Sequence, residues 1–482
     1  MKYKHALFLN PYIEVSTEMM LFPPTGLEYV ATSAKGLVGK VTIVDLRYDN
    51  VLRDTGKLMD FIRKEIDIIC VSVSWNRHKD EVYALMNSMP DEIPLIVGGY
   101  KATEDVVEIF EKCPKVDIIV RGEGEETMKE IALGGPLENI LGISYMSGGK
   151  IVHNKNRPLP DINTITPPDR SLRQYEYSLM SNGTRLTSAT LDTILSSRGC
   201  PFKCKFCTFN LNLLGQKRDY ASRSPESVIE EIKGISADII LFSDDNFFTE
   251  PKRAEKICDM IIAQKIKKRF VAQTRIDLAE YPELLKKMVK AGFKMLLLGI
   301  ESPNDRILKD LNKGFDQATI RKRFSVFRKF PIIYHGYYIY GNIGETEEEM
   351  LYISKFSKEI GLDSVAFSKL RVDINSPLRE IVKNTPGYHL TVRGELYSDK
   401  YSHSYLKLIH RKMRASFYTP FGILKVIWKG IRARAFTFGE VLAFAAAAPL
   451  LIKGTVEKGL RKRASRRAQS LKEIMKKDSG TP

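Results

Sequence analysis

The stretch that decides the fold is residues 193–207, which read TILSSRGCPFKCKFC. Its apolar, β-branched start predicts a strand, and the loop that follows carries three cysteines. Their spacing, C-x3-C-x2-C, places Cys200, Cys204 and Cys207 on one tight loop directly after that strand. Three thiolates on such a loop can bind three irons of a cubane cluster and leave the fourth iron open for chemistry.

Other metal sites also use cysteines, and the rest of the sequence weighs against them. A zinc site needs a fourth ligand nearby, and an electron-transfer cluster needs a fourth cysteine. The nearest further candidates in the sequence, His153 and Cys258, are both remote. Three of the six cysteines fall within eight residues, which favours a metal site in a reducing compartment over a disulfide framework. Residues 1–9 predict a first strand rather than a secretion signal, so we expect a cytoplasmic protein.

The segment 186–385 around this loop alternates strand-like and helix-like runs. Its six strand candidates are Thr193–Ser197, Ile239–Ser243, Phe270–Arg275, Met295–Ile300, Ile332–Tyr340 and Ser364–Leu370. Six consecutive βα units predict a partial (β/α)6 barrel, in which functional groups gather at the carboxyl ends of the strands.

Residues 1–150 show a second alternating series, with short strands rich in Val and Ile. The strand candidates are Ala6–Asn10, Val41–Leu46, Ile66–Ser74, Pro94–Gly98 and Val116–Val120. Strands with so little charge indicate a parallel sheet covered on both faces, so we predict an α/β domain with a flavodoxin-like, doubly wound sheet. The proline-containing stretch 151–185 is predicted to be a linker, and 386–482 a mainly helical, basic C-terminal region.

The cysteine loop has an aromatic residue, Phe206, before its last cysteine and six βα units around it. In these features it resembles the radical S-adenosylmethionine (SAM) superfamily. The resemblance implies that Cys200, Cys204 and Cys207 hold a [4Fe–4S] cluster and that SAM binds its open iron. Reduction by an electron donor such as flavodoxin or ferredoxin then cleaves SAM to a 5′-deoxyadenosyl radical. The alternative from another class is a non-catalytic iron–sulfur redox protein at a membrane.

The resemblance also points to SAM-binding residues at the ends of the barrel strands. The candidates are Asp244, Asp245, Gln273, Arg275 and Glu301. The two aspartates suit the amino group of SAM, Arg275 suits its carboxylate, and Glu301 suits a ribose hydroxyl or Arg275 itself. The alternatives are structural: an acidic turn, and an ion pair that closes the barrel. No residue is singled out as catalytic.

Four segments of the first 150 residues resemble the cobalamin (B12)-binding domain that is fused to many radical SAM enzymes. They read PPTGLEY (23–29), SVSW (72–75), VGGYKAT (97–103) and IVRGEGE (119–125). The candidate cofactor-binding residues are Ser72, Ser74, Gly98, Gly99, Gly122, Glu123 and Gly124. Glycines just past strand ends let a large planar cofactor approach the backbone. A cofactor-free version of the same fold is the alternative.

One departure concerns the cobalt ligand. The family signature D-x-H-x-x-G supplies a histidine to cobalt, and no Asp-x-His occurs among the seven histidines of this sequence. The resemblance therefore implies a cobalamin that lacks this ligand. His78 follows the third predicted strand and could be nearby, but we expect it to face solvent.

The net charge of +17 is concentrated near the C-terminus: residues 411–482 carry 17 of the 75 basic residues but only 4 of the 58 acidic ones. Residues 417–431 predict an amphipathic helix with a basic rim. The apolar run 435–452 contains Glu440 and Pro449, which count against a membrane span. A helix on a membrane surface or one that closes a cavity is favoured, and packing on the protein's own core is the alternative. Nucleic acid is disfavoured because the basic run lacks interleaved aromatic residues.

The two resemblances together imply one activity. It is cobalamin-dependent methyl transfer to an unactivated carbon of a hydrophobic, lipid-like substrate, with the enzyme in the cytoplasm and peripheral on the inner face of the membrane. The alternative is radical carbon–carbon bond formation, cyclisation or rearrangement of a lipid without net methylation.

Overall fold

The computed structural model describes residues 2–13, 22–74, 78–181, 184–207, 212–446 and 449. Two open α/β sheets are joined by residues 154–177, and helices follow the second sheet. Trp75 and the basic residues of 453–482, which entered the sequence predictions, lie outside the described residues.

The first sheet is flavodoxin-like, as predicted. Its strands are β1 (His5–Asn10), β2 (Lys40–Asp45), β3 (Ile68–Ser72), β4 (Leu95–Gly98), β5 (Ile118–Val120), β6 (Ile143–Ser147) and β7 (Lys150–His153). Their order is β2-β1-β3-β4-β5-β6-β7, and the first five are parallel. This order confirms the doubly wound fold, in which ligands bind outside the carboxyl ends of the strands.

Helices cover both faces of this sheet. They are α1 (Thr25–Ala34), α2 (Thr55–Glu65), α3 (Lys79–Asn87), α4 (Tyr100–Glu104), α5 (Val106–Lys112) and α6 (Glu125–Leu133). Leu7 and Leu9 of β1 pack into one apolar core, with α2, α3 and α5, whereas Ala6 and Phe8 pack into the other, with α1 and α6. All four side chains are fully buried, which is why the strand is apolar without alternation.

The hairpin β6–β7 extends the sheet where no strand was predicted. It is antiparallel, and its turn, Gly148-Gly149, has two positive φ angles that glycine adopts without strain. Its outer residues are exposed, so it lacks the apolar run that marked the first five strands. The predicted linker 151–185 thus starts inside a strand, and Arg173 bridges to Ile43 of β2 farther along it.

The second sheet is the partial barrel. Its strands are β8 (Ser178–Ser181), β9 (Thr184–Ile194), β12 (Ile239–Phe242), β13 (Arg269–Arg275), β14 (Phe293–Glu301), β15 (Ile333–Tyr340) and β16 (Ser364–Lys369), and β10 (Ser197–Arg198) with β11 (Ala221–Ser222) forms a separate ribbon. The order is β16-β15-β14-β13-β12-β9-β8, with six parallel strands and β8 antiparallel at the edge. Six parallel strands in sequence order confirm the predicted partial (β/α)6 barrel.

The first barrel strand does not have the predicted bounds. We expected Thr193–Ser197, but β9 starts at Thr184 and ends at Ile194. Its first half is rich in Thr and Ser and pairs with β8, so no apolar run marked it. Ser196 and Ser197 lie beyond the end of β9, where Asp244 accepts hydrogen bonds from the Ser196 amide and the Ser197 hydroxyl.

Helices surround the outer face of the barrel and form the C-terminal region. They are α7 (Pro225–Gly234), α8 (Pro251–Ala263), α9 (Pro282–Ala291), α10 (Asp305–Asp310), α11 (Gln317–Phe327), α12 (Glu347–Ile360), α13 (Leu378–Lys383), α14 (His403–Phe417) and α15 (Pro420–Arg432), with a small hairpin of β17 (Tyr388–Leu390) and β18 (Leu396–Ser398). Tyr338 and Tyr340 of β15 pack into the core under these helices, whereas His335 and Tyr337, one residue out of phase, are partly exposed on the inner face.

Residues 433–440 of the C-terminal region close the amino end of the barrel, opposite the cysteine loop. Ala433 and Ala435 pack against Ile333 at the start of β15, and Arg269 forms two hydrogen bonds with Glu440, at 2.7 and 2.8 Å. In the part of the chain that the structure describes, no helix has the length and apolar character needed to cross a membrane.

Candidate active site

The cysteine loop is tied down on both sides. Before it, β10 pairs with β11. After its second cysteine, the Lys205 amide donates a hydrogen bond to the Leu311 carbonyl at 3.0 Å, and the Ser376 hydroxyl donates to the Lys205 carbonyl at 2.7 Å. The loop is therefore fixed by the segments that follow β14 and β16, at the carboxyl end of the barrel.

The three cysteines are half-buried, and none of them forms a disulfide. A guanidinium nitrogen of Arg275 lies 3.8 Å from the Cys204 sulfur, and such a donor to a sulfur suits an iron–sulfur cluster. Among the described residues, no three His, Cys, Asp or Glu side chains are grouped so that they could hold a metal ion. The three thiols fit the cluster by their chemistry and by their spacing in the sequence rather than by a gathered ligand geometry, and their assignment stays a prediction.

The two aspartates after β12 fasten the segment that leads into the loop. The Ser196 amide donates to Asp244 at 2.7 Å, the Ser197 hydroxyl donates to the same carboxylate at 2.6 Å, and the Gly199 amide donates to Asp245 at 2.8 Å. Burial raises the pKa of Asp244, and it raises that of Asp245 to about 6. Their predicted contact with the SAM amino group stays a prediction. The structure shows in addition that both aspartates hold the segment before the cysteine loop by hydrogen bonds.

Arg275 belongs to the same cluster of contacts. Its guanidinium lies 3.8 Å from the centre of the Phe202 ring, which is part of the cysteine loop. It also donates to Asp277 at 2.7 Å and to the carbonyl of Lys313 at 2.7 Å. Gln273 lies two residues earlier on β13, with its side chain partly exposed on the inner face.

Glu301 has a partner that the sequence did not reveal. Glu301 accepts a hydrogen bond from Lys313 at 2.9 Å, and both side chains are buried. The predicted contact of Glu301 with a ribose hydroxyl stays a prediction. Glu301 also has a φ of +71° at a bulge between β14 and β15. Such a conformation in a non-glycine residue is typical of functional sites. Lys313 lies in a turn without a recognisable motif, so there was no reason in the sequence to select it as a site residue.

The carboxyl edge of the first sheet borders a cavity of about 900 Å³. All seven predicted cofactor-binding residues of this region line it: Ser72, Ser74, Gly98, Gly99, Gly122, Glu123 and Gly124. A Cβ added at Gly99, whose φ is +109°, would lie 2.9 Å from the Val73 carbonyl oxygen. Bare backbone beside a broad cavity fits a large planar cofactor such as cobalamin.

Polar groups on the cavity wall also fit a bound cofactor. The hydroxyls of Ser72 and Ser74 are 3.1 Å apart, and the Ser74 amide donates to Tyr12 at 2.8 Å. His78 lines the cavity too, contrary to our expectation that it faces solvent. Its Nδ1 lies 3.4 Å from Glu81, and its buried Nε2 has no hydrogen-bond partner among the described residues. A ligand in the cavity could satisfy that nitrogen.

The two sites adjoin. Arg198, two residues before Cys200, lines the cavity and donates to Glu125 at 2.7 Å. It also pairs with Glu123, and Arg218 donates to Glu123 from the other side at 2.6 Å. These residues join the loop after β5 to the cysteine loop, and the sequence had singled out Glu123 alone among them.

Two family models match the two sheets. Residues 194–356 match the radical SAM superfamily, and residues 19–132 match the B12 binding domain. The cofactors of these two domains are a [4Fe–4S] cluster and SAM in the barrel and cobalamin on the first sheet.

Three relatives illustrate the range of activities. An uncharacterised methyltransferase of Pyrococcus horikoshii is 28% identical over 72% of this chain and 75% of its own length. An anaerobic magnesium-protoporphyrin IX monomethyl ester cyclase of Cereibacter sphaeroides is 25% identical over 68% of this chain. A hopanoid C-3 methylase of Methylococcus capsulatus is 26% identical over 60% of this chain. The alignment spans 55% of each of the last two proteins.

A solved structure shares the fold. The radical SAM methyltransferase TsrM of Kitasatospora setae, solved with cobalamin and a [4Fe–4S] cluster bound, superposes with a TM-score of 0.67. The match covers 87% of this chain and 89% of TsrM at 15% identity, so the two proteins have both sheets in common.

Proposed function

Since this chain belongs to the radical SAM enzymes that carry a B12-binding domain, we propose that it transfers a methyl group to an unactivated carbon of a hydrophobic, lipid-like substrate. The observation that carries the proposal is the junction of the two sites: Arg198, beside the cysteine loop, lines the cavity of the first sheet. A radical source and a methyl source that adjoin in this way can act on one bound substrate.

The chain's own residues hold and orient the cofactors. When bound, the cluster and SAM supply a 5′-deoxyadenosyl radical, and cobalamin supplies a methyl group. Cys200, Cys204 and Cys207 would hold the cluster. Asp244 and Asp245 fix the approach to that loop, which keeps the radical source in place relative to the barrel.

Side chains on the inner face of the barrel would contact the substrate. His335 and Tyr337 project from it, with ring centres 4.8 Å apart, and Nδ1 of His335 is 2.8 Å from the Ser364 hydroxyl. Burial lowers the pKa of His335 to about 4, so the ring is neutral near pH 7. A neutral ring among partly exposed apolar side chains suits a substrate with little charge.

The apolar substrate class is supported by the relatives and by the C-terminal region. The hopanoid methylase named above modifies a lipid, by its name. Helix α15 and the next helical turn expose large apolar side chains: Phe421 (80% exposed), Leu424 (64%), Trp428 (68%), Phe438 (66%) and Leu442 (54%). Exposed Lys425, Arg432 and Arg434 lie among them, and Glu440 is paired with Arg269. An apolar face with a basic rim suits an anionic membrane surface.

Vesicle flotation tests this membrane contact. The full-length protein should float with vesicles of anionic phospholipid and much less with zwitterionic ones. Replacing Phe421 and Trp428 by Ser should abolish flotation without loss of SAM cleavage, whereas Leu133→Ser, an exposed leucine on the first domain, should leave it unchanged. If the double variant floated as well as the wild type, this surface would be ruled out as the membrane contact.

Labelled SAM tests the methyl transfer. Protein reconstituted anaerobically with iron, sulfide and hydroxocobalamin is given a strong reductant, methyl-labelled SAM and a total lipid extract of the source cells. Label should enter an apolar product. Cys204→Ala protein should give neither label nor 5′-deoxyadenosine, and wild-type protein without cobalamin should give 5′-deoxyadenosine alone. Absence of any corrinoid binding by the reconstituted protein would overturn the proposal.

The second candidate is radical ring closure or carbon–carbon bond formation on the same class of substrate. The similarity to the anaerobic cyclase, over 68% of this chain, favours it. It predicts a changed product mass with 5′-deoxyadenosine formed and no methyl label incorporated.

A further inference from the structure

Arg198 lies between the cavity of the first sheet and the cysteine loop. Among the described residues that line the 900 Å³ cavity, it is the one that comes from the barrel, and all others lie between Phe8 and Met128. It is also two residues from Cys200. The side chain of Arg198 therefore lines the cavity, while its backbone in β10 leads directly into the cysteine loop.

The contacts of Arg198 are strong and directional. Its guanidinium is forked between Glu123 and Glu125, packs over the Tyr29 ring with its carbon 5.5 Å from the ring centre, and is 14% exposed. Arg218 holds Glu123 from the opposite side. Paired guanidinium and carboxylate groups at such low exposure are weakly screened, so each fixes the position of the next.

The other side of the same segment is held by the barrel. Asp244 and Asp245 hold residues 196–199 against the barrel, as described above. Gly199 has a φ of +84°, and a Cβ there would lie 2.7 Å from the carbonyl oxygen of Asp219. The orientation of residues 198–200 is therefore set from two sides, by Asp244 and Asp245 of the barrel and, through Arg198, by Glu123 and Glu125.

We propose that Arg198 is a positioning residue that couples occupancy of the corrinoid cavity to the geometry of the cluster loop. A corrinoid in the cavity fixes the turn Gly122–Gly124, Glu123 in that turn fixes Arg198, and Arg198 fixes the approach to Cys200. Binding of cobalamin and of the cluster then favour each other, and the coupling is reciprocal. The inference rests on the proposed function, because it takes the cavity to be the corrinoid site.

Paired titrations test the coupling. Hydroxocobalamin is titrated by absorption into the full-length protein with and without a reconstituted cluster. In the wild type the cluster should raise the affinity about tenfold. The measured quantity is the ratio of the hydroxocobalamin affinity with the cluster to that without it. In Arg198→Met this ratio should fall to near one. Arg198→Lys keeps the charge but cannot bind both glutamates as a guanidinium does, so it should give an intermediate ratio.

A matched control uses another arginine that joins the two sheets. Arg173 pairs with Glu28 of α1 and with Asp192 of β9, away from the cavity, so Arg173→Met should keep the wild-type ratio. The rate at which a chelator removes iron gives the reciprocal reading: hydroxocobalamin should slow it in the wild type and not in Arg198→Met. If Arg198→Met does not fold, Glu123→Gln removes the other end of the network and should lose the ratio in the same way.

The outcomes separate the two proposals. A wild-type ratio of one, or an unchanged ratio in both Arg198→Met and Glu123→Gln, overturns the coupling. No binding of hydroxocobalamin to the wild type in either state overturns the proposed function instead.

Discussion

The two cofactor regions of this molecule are built in opposite ways. The cavity on the first sheet is shaped by missing side chains, since Gly99 and Gly122 leave backbone bare at positive φ. The carboxyl end of the barrel is filled with charge instead: Glu301, Lys313 and Asp244 are all buried there. One region makes room for a large ring system, and the other holds a reactive loop in place.

The difference teaches where each region is vulnerable. At Gly99 the cavity wall has no room for a Cβ, because the added atom would lie 2.9 Å from the Val73 carbonyl oxygen. A buried charged cluster depends on every partner, because removal of one leaves an uncompensated charge in a medium of low polarity. Substitutions in the first region should therefore affect mainly binding, and those in the second should affect both stability and chemistry.

The largest expected effect is at the cysteine loop. Cys204→Ala should abolish cluster incorporation and all SAM cleavage, because three irons need three thiolates, while hydroxocobalamin still binds. Iron and sulfide content, 5′-deoxyadenosine formation and a cobalamin titration measure the three properties. Cys258→Ala, in the apolar core of α8, is the control and should keep the cluster. Cluster assembly on the Cys204→Ala protein would refute the assignment of the loop.

The buried pair of Glu301 and Lys313 should give the next largest effect. Lys313→Met leaves the Glu301 carboxylate buried without its partner, which costs about 3–5 kcal/mol of unfolding free energy. Denaturant unfolding of the cluster-free protein measures it. The double variant with Glu301→Met should recover most of the loss, since no buried charge is left. Equal stability of Lys313→Met and wild type would mean that the charged cluster is not what holds this end of the barrel.

The same difference explains how far the sequence could be read. Glycines act locally, so Gly98, Gly99 and Gly122 could be singled out from the resemblance of short segments together with their positions just past strand ends, and all three line the cavity. Apolar β-strands such as β1 are equally local, because burial on both faces is written in consecutive residues.

Ion pairs depend on residues that the fold brings together. Asp244 was located at the right strand end, but its partners, Ser196 and Ser197, are almost fifty residues away in the chain. No neighbouring sequence feature distinguishes Lys313 or Arg198, and their partners are seen only in the folded structure. The barrel and both cofactor regions were therefore predictable, whereas the network that joins them was not.

A smaller effect is expected where the wall of the cavity is distorted. Gly99→Ala forces a Cβ against the Val73 carbonyl at a backbone conformation that is essentially restricted to glycine, with a cost of about 1–3 kcal/mol. Hydroxocobalamin affinity should fall, while cluster content and iron–sulfur absorption stay as in the wild type. Gly135→Ala, with nothing within 4 Å of the added carbon, is the matched control. Loss of the cluster in Gly99→Ala would contradict the expectation that substitutions in the first region affect mainly cobalamin binding.

The smallest effect concerns the pH dependence of a buried carboxyl at the barrel end. Glu345 follows β15, and burial raises its pKa from 4.5 to about 7. Its folded form keeps a proton that the unfolded chain releases near pH 4.5, so its contribution to stability is full below that pH and falls as the pH rises to about 7. Glu345→Gln cannot lose this proton and should show a smaller fall in unfolding free energy between pH 4.5 and 7. Exposed Glu348→Gln should follow the wild type. Parallel curves for all three proteins would mean that the Glu345 carboxyl releases its proton at the same pH in the folded and the unfolded chain.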